Sequence, residues 1–456
     1  MKKTKLTQKH KKNLILINKS ISYTRIAQLQ QGVLSHFHLE CLNVPSQVGS
    51  IYKARVIKKQ EGLNVCFVDI GSGKSAFLYL SRNLCSPERQ MAREKGAKKH
   101  EFFEEHAEQN PPKREIFQDT GGREACLKRL KKGQTLMVQV IKDPLKTKNV
   151  RVSDKISLPG PYLVYLPKVL FYIGASKQIE DEKLKEELIR YVREWNQKSS
   201  FVIRTRAREA RPEDLIKDGE HLQSVWHHVR EKYHSLPSPG LVWSDVSFPS
   251  QVLRDFLTED VEKVLVDDEK LGDHIQQFVD REIPKERHKI SFYNTEKEGL
   301  SLFNQYSLES KLGLLLNKKV DLKSGGFLVI EETEAAVVVD VNTGRFMGKK
   351  NPEETILKIN LEAAKEIAIQ MRLRNCGGII FIDFIDMELE RSRQAVMECL
   401  SQEFQKDRSS TRLFPMSELG VVQITRKRTR SSLLETLCEP CPHCNGLSYV
   451  KKPISW

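Results

Sequence analysis

Two aspartates are placed to do chemistry together. Asp340 comes late in the apolar, β-branched run EAAVVVDVN, and Asp383 comes late in GIIFIDFID. In a strand, side chains alternate faces, so Val338, Asp340 and Asn342 share one face. By the same period Asp383 sides with Ile379, Phe381 and Ile385, while Asp386 points the other way. Two carboxylates on neighbouring apolar strands repel each other unless one is protonated or a cation lies between them. An all-oxygen site that keeps several waters suits Mg2+. Such an ion orients and acidifies a water and stabilises charge on a phosphoryl group. A lone aspartate at a strand end more often satisfies a turn or caps a helix. Two in one strand–helix–strand unit favour the metal, with Asn342 supporting Asp340.

The segments between and around them must position the pair. TGRFMGKK follows Asn342 as a turn. A helix then has a clear start, with Asn351 as N-cap, Pro352 in the first position and Glu354 closing a capping box. Its body, EETILKINLEAAKEIAIQMRLRN, would run roughly 35 Å at the α-helical rise. Arg372 and Arg374 complement its C-terminal dipole, and Gly377 and Gly378 are the expected stop. The order strand, helix, strand predicts a parallel pair, and reactive groups in such sheets gather at the carboxyl ends of strands.

The wider chain suggests what such a centre would act on. Among 456 residues, 75 Lys and Arg outweigh 60 Asp and Glu, for a formal charge of +15. A polyanion is the natural partner, nucleic acid ahead of an acidic membrane surface. No apolar run is long enough to span a bilayer or to form a signal-peptide core. The nine cysteines are mostly isolated inside apolar runs, which suits buried thiols of a cytoplasmic protein rather than a disulfide framework. Only Cys438, Cys441 and Cys444 cluster, beside His443. The CPHC pair has metal-ligand spacing, and a structural zinc site needs four ligands. Four ligands within seven residues make an awkward tetrahedron, so one CPHC pair from each of two subunits is the simpler site, implying a homodimer or higher homo-oligomer.

Upstream, residues 13–42 read as a small antiparallel β unit. From Gly49 to near Asp154, short strands with interleaved basic and aromatic residues fit an OB-type barrel. Exposed aromatics on such barrels stack bases of single-stranded nucleic acid; Phe67 and Phe77 are the candidates, and the same rings would also serve as ordinary core. GSGKS at 71–75 lacks the first glycine of a P-loop, since Val68 stands there, and a strand-like segment follows it, so nucleotide hydrolysis is rejected. Residues 86–133 form a highly charged insertion. Further on, FVIRTR brings Arg204, Thr205 and Arg206 together. A guanidinium beside a hydroxyl suits a phosphate, and a surface salt bridge is the commoner alternative. Residues 211–235 read as a helix ending before the linker LPSPG. Helical and short strand patterns alternate through 250–320.

Taken together, SGGFLVIEETEAAVVVDVNTG, NLEAAKEIAIQMRLRNCGGIIFIDFIDM, TRKRTRSSL and CPHC resemble the ribonuclease E/G family, on its ribonuclease G side. The likeness extends back through IKDPLKTK, ISLPGPYLV and IYKARV. It implies a multidomain α+β/α/β chain. An RNase H-like domain (1–47 and 250–315) is split by an OB-type RNA-binding barrel (48–155) and a 5′-sensor domain (156–249). A DNase I-like catalytic domain (316–437) and a zinc link with a shortened tail (438–456) follow. It also implies hydrolysis of single-stranded, A/U-rich RNA, in rRNA 5′-end maturation and mRNA turnover. Asp340 and Asp383 match the family's Mg2+ ligands and Asn342 its supporting asparagine. Phe67, Phe77 and Lys148 match its RNA contacts; Arg204, Thr205 and Val164 match its pocket for a 5′-monophosphate; Cys441 and Cys444 match its shared Zn2+ ligands. Asn149 and Val150 depart from the Gly-Ala usual after Lys148, and the chain stops at Trp456 without the family's C-terminal small domain. The rival reading is a non-catalytic RNA-binding protein.

Overall fold

The computed structural model of the chain describes residues 12–60, 65–79, 130–144, 149–169, 171–344, 352–428 and 430–444. Lys148, the expected N-cap Asn351, most of the charged insertion 86–133 and the tail after Cys444 lie outside the described residues. The chain divides into two compact units, Met1–Gly32 with Leu42–Glu298, and Val33–Cys41 with Gly299–Trp456.

The first unit opens with an antiparallel hairpin, β1 (Leu14–Lys19) and β2 (Tyr23–Gln30); β3 (Val33–Cys41) belongs to the second unit. Five strands then close on themselves: β4 (Ile51–Gln60), β5 (Val65–Asp69), β6 (Ser75–Tyr79), β7 (Thr135–Lys142) and β8 (Arg151–Ser153). Their circular order is β4-β5-β6-β8-β7 and back to β4, with β6 and β8 parallel. Alternation sends small and β-branched side chains inward, among them Ala54, Val56, Cys66, Val68, Ala76, Val138 and Val152. Gly71 and Gly73, at φ +82° and +76°, turn the chain straight from β5 into β6. No helix follows GSGKS there, as expected for a decoy.

Next come β9 (Leu158–Pro159), β10 (Leu163–Tyr165), β11 (Ile173–Ala175), helix α1 (Glu182–Trp195), β12 (Phe201–Ile203) and helix α2 (Pro212–Ser235). The four strands form a sheet in the order β11-β12-β10-β9. Asp181 starts α1 by accepting the N–H groups of Lys183 and Leu184, and Pro212 occupies the first turn of α2. Leu188 and Val192 of α1 and Leu215 and Leu222 of α2 pack with Phe201 and Ile203. After β13 (Gly240–Trp243), which pairs with β4, the chain returns to its start. There α3 (Phe248–Phe256), β14 (Lys263–Val266), α4 (Glu269–Glu282) and β15 (Ile290–Phe292) place β14 parallel to both β1 and β15.

The second unit is built on one six-stranded sheet. Its elements are β16 (Lys319–Asp321), β17 (Phe327–Glu332), β18 (Ala336–Asn342), α5 (Pro352–Leu373), β19 (Gly378–Asp383), α6 (Glu390–Gln405), β20 (Thr411–Leu413), β21 (Val421–Arg426) and the short α7 (Leu433–Leu437). The order is β16-β17-β18-β19-β21-β20. Only β18 and β19 are parallel, the pair that α5 joins. Val337, Val339, Val341, Ile380, Ile382, Val422 and Ile424 meet Ile359, Ala363, Ile367 and Met371 of α5 and Val396 and Leu400 of α6. The helices therefore cover one face of the sheet. On the other, Val338 and Ile379 stay 39% and 46% exposed.

The end of α5 differs from the expectation. The helix stops at Leu373, and Asn375 takes the left-handed φ of 52° while the Cys376 N–H reaches back to the Met371 carbonyl at 3.0 Å. Asparagine tolerates that conformation, so it ends the helix before the glycines are reached. Gly377 has a different reason to be there: a Cβ on it would stand 2.9 Å from the Cα of Arg428.

Candidate active site

The register of the parallel pair sets Asp340 directly opposite Asp383. On the outer strands Val329 faces Asp340 and Val421 faces Asp383. One row across four strands thus reads valine, aspartate, aspartate, valine. Both carboxylates lie on the exposed face, away from the helices. Asn342 donates its amide Nδ2–H to Asp340 Oδ2 at 2.9 Å, which fixes the rotamer of that carboxylate. Asp386 lies beyond the end of β19, in the loop.

The loops at this end of the sheet are pinned from the helix side. Asn360 of α5, fully buried, donates to the Ile385 carbonyl at 2.8 Å and accepts the Ile385 N–H at 3.2 Å. It holds the chain two residues after Asp383. Glu362 accepts the N–H groups of Lys323 and Ser324 at 2.7 and 3.0 Å, just before β17. Gly344, at φ +62°, comes so near Gly325 that a Cβ would meet the Gly325 carbonyl oxygen at 2.3 Å.

Can the pair hold a divalent ion? The donors are carboxylate oxygens, exposed, and adjacent in register. Among the described residues no group of three or more His, Cys, Asp or Glu gathers around a common point. Two carboxylates with room for water is the donor set Mg2+ favours, because that ion sheds its hydration reluctantly.

In the first unit, β12 ends at Ile203, and Arg204 and Thr205 stand at its exit, with Thr205 opening a short 3-10 turn. The Arg204 guanidinium is held on two sides, by the Gly160 carbonyl at 2.7 Å and by the carboxylate of Asp255. The Thr205 hydroxyl lies 2.9 Å from Ser176 Oγ and 3.1 Å from Gln178 Oε1. Val164 pairs with Val202 on β10 and β12, so it shares a strand face with Arg204 by period two. Arg206 turns inward instead, over the Tyr162 ring at 5.9 Å and 4.0 Å from buried Glu286.

On the barrel, Phe67 and Phe77 are cross-strand partners, half-buried, with ring centroids 5.8 Å apart and edge to face. Lys58 and Arg151 extend the same row in register, and the Arg151 guanidinium lies over the Phe77 ring at 5.8 Å. In the tail, the backbone N–H groups of Cys444 and His443, and then the Cys444 side chain, bond to Cys441 and hold its thiol below the ordinary value. Such bonds favour the thiolate, the form that binds metal.

These placements can be set beside known proteins. A ribonuclease E/G family profile matches residues 157–429, a span containing Arg204, Thr205 and both aspartates. Over 442 residues, 96% of this chain and 84% of the relative, the sequence is 36% identical to the ribonuclease G of Haemophilus influenzae. The chain belongs to the ribonuclease E/G family. The ribonuclease G of Escherichia coli is 36% identical over 438 residues, with the same coverage of both chains. The ribonuclease E of Synechocystis is 33% identical over 318 residues, 70% of this chain and 47% of that protein.

Three of the groups that shape these sites escaped the sequence reading. Asn360 looked like one more polar residue of a helix. Asp255 meets Arg204 across 51 residues of sequence, and Asp218 meets the N–H groups of Tyr162 and Leu163 across 56 and 55. The one available signal was Asp218 itself, a carboxylate between Leu215 and Leu222 on the apolar stripe of α2.

Proposed function

We propose that this chain is an endoribonuclease that hydrolyses single-stranded, A/U-rich RNA with Mg2+ held by Asp340 and Asp383. In this reading it prefers RNA with a 5′-monophosphate end and acts in the cytoplasm, in rRNA 5′-end maturation and mRNA turnover. The observation that carries the reading is the direct opposition of the two carboxylates on parallel strands, in a chain whose relatives at 36% identity are ribonucleases G.

Each residue has a definite task. Asp340 and Asp383 would hold the ion through their carboxylate oxygens, and Asn342 fixes the Asp340 carboxylate by its hydrogen bond. When bound, Mg2+ supplies positive charge against the charge developing on phosphoryl oxygens and lowers the pKa of a coordinated water. Water adds at phosphorus, the 3′-oxygen leaves, and the downstream fragment keeps a 5′-phosphate. Arg204 and Thr205 offer a guanidinium and a hydroxyl to the terminal phosphate, beside Val164. Phe67 and Phe77 offer ring faces to unstacked bases, and Lys148 is the matching cation. The closed barrel and the sheet of β9 to β12 support the proposed RNA-binding and 5′-sensor domains, and the β18–α5–β19 sheet supports the catalytic one. No helix among the described residues is long and apolar enough to cross a membrane.

The assay is direct. A 5′-monophosphorylated A/U-rich oligonucleotide is incubated with the protein and Mg2+, with and without EDTA. Cutting that EDTA stops supports the nuclease; RNA left intact in both tubes would establish a pure binding protein instead. For the tail, the reading is one Zn2+ held by Cys441 and Cys444 from each of two chains, making a homodimer. The bonds to Cys441 support a metal-ready pair. Elemental analysis should find about half a zinc per chain, and one per chain would move the site within a single subunit.

A further inference from the structure

A buried acid, Asp218, lies behind the turn that holds Arg204. Asp218 sits at a core position of α2 and is 7% exposed. Its Oδ2 accepts two backbone N–H groups, from Tyr162 and Leu163, both at 2.8 Å. These belong to the tight turn from β9 to β10, which the Gly160 N–H closes on the Leu163 carbonyl at 2.8 Å. Its other oxygen, Oδ1, is buried and accepts no hydrogen bond from any described residue. That oxygen packs against Gly160 so closely that a Cβ there would stand 2.1 Å away.

The opposite side of this turn faces Arg204. The Gly160 carbonyl accepts Arg204 Nη1–H at 2.7 Å, and the Tyr162 carbonyl accepts the Arg204 backbone N–H at 2.8 Å. The turn therefore gives its donors to Asp218 and its acceptors to Arg204. An oxygen left without a hydrogen-bond partner in a protein interior is costly to the fold. The two N–H bonds to a carboxylate oxygen are charge-assisted and stronger than those a neutral amide would accept, so the acid grips the turn more firmly than an uncharged residue of its size. Burial pushes its pKa up to about 6 in spite of the two N–H bonds.

We propose that Asp218 is a positioning residue for the 5′-phosphate pocket: it clamps the Gly160–Leu163 turn so that the turn's carbonyls hold the Arg204 guanidinium in place before RNA arrives. Asp255 holds the same guanidinium from the other side. A phosphate then meets a donor fork whose ordering entropy has already been lost during folding. The inference rests on the reading of Arg204 and Thr205 as a 5′-phosphate site.

The experiment compares kcat and KM on one A/U-rich oligonucleotide carrying either a 5′-monophosphate or a 5′-hydroxyl. The proteins are the unmutated chain, Arg204→Ala, Asp218→Ala, Asp218→Asn and Gly160→Ala, each checked by thermal unfolding. Asp218→Ala should cut the preference for the monophosphate by about tenfold, the worth of one charge-assisted contact, toward the value of Arg204→Ala. The loss should fall on KM for the monophosphorylated RNA. Asp218→Asn keeps an acceptor oxygen and should recover part of the preference. Gly160→Ala pushes the turn off Asp218 and should resemble Asp218→Ala, and it carries the test should Asp218→Ala fail to fold. If Asp218→Ala and Gly160→Ala fold and stay within twofold of the unmutated preference, or lose kcat on both RNAs alike, Asp218 is only a structural tether and the inference is overturned. If the unmutated protein shows no preference, the pocket reading falls first and the inference falls with it.

Discussion

The β18–β19 centre and the Arg204 pocket both rely on aspartates, and they use them in opposite ways. Asp340 and Asp383 stand in solvent on the open face of a sheet, and their spacing is set by backbone register. Asp218 is buried behind the turn whose carbonyls hold Arg204, and its place is set by side-chain bonds between distant segments. If the first pair holds a cation, as proposed, its exposure lets water screen the repulsion of the two acids until the ion arrives. If Arg204 takes a phosphate, as proposed, acids set behind the arginine would orient it without confronting the ligand. The comparison also predicts different failures. Damage at the first should remove chemistry and spare the fold, whereas damage at the second should alter preference and stability together.

The largest effect should come from the exposed pair. Asp340→Asn or Asp383→Asn should lower the cleavage rate on the order of 10³-fold or more, at least ~4 kcal/mol of barrier, with RNA affinity and unfolding midpoint nearly unchanged. The double variant should be little worse than either single one, since both serve one ion. Near-normal cutting by both single variants would end the assignment.

A smaller effect should appear in the pH dependence of stability. The folded pKa of Asp218, about 6, lies above its ordinary 3.8, so between those values the folded chain holds a proton that the unfolded chain has released. Stability therefore falls as pH rises through that window, by roughly 3 kcal/mol for about two pH units. Urea unfolding at pH 4.5, 5.5 and 7 measures the slope. Asp218→Asn, which cannot ionise, should flatten it, and equal slopes in both proteins would contradict the buried-acid account. Smallest of the three, Phe67→Ala should weaken binding of single-stranded RNA by ~1–3 kcal/mol, the worth of one base stack. An affinity change below twofold would return Phe67 to the role of a packing residue.

How legible all this was depends on the range of the interaction. The β18–α5–β19 unit was readable because it is local. Two β-branched runs and one long amphipathic helix follow directly in sequence, and period two assigned Asn342 to the face of Asp340, where it does bond to it. The five-stranded closure and the parallel pairing of β18 with β19 also followed from pattern. The acids that support Arg204 did not, because Asp255 reaches it across 51 residues of sequence and Asp218 reaches the Tyr162 and Leu163 N–H groups across 56 and 55, and strand or helix periodicity says nothing about such meetings. The end of α5 misled for another reason. Glycine is the usual stop, and Asn375 supplied the left-handed turn first.

The parallel pairing has a consequence for the life of the chain before it is finished. β18 and β19 pair across the whole length of α5 in the chain, and contacts so separated in sequence are slow to close. A nascent or partly unfolded molecule thus carries both carboxylates apart, with no place for an ion between them. In the proposed reading, the ability to cut RNA therefore comes only with the completed sheet, after the two carboxylates have been brought into register.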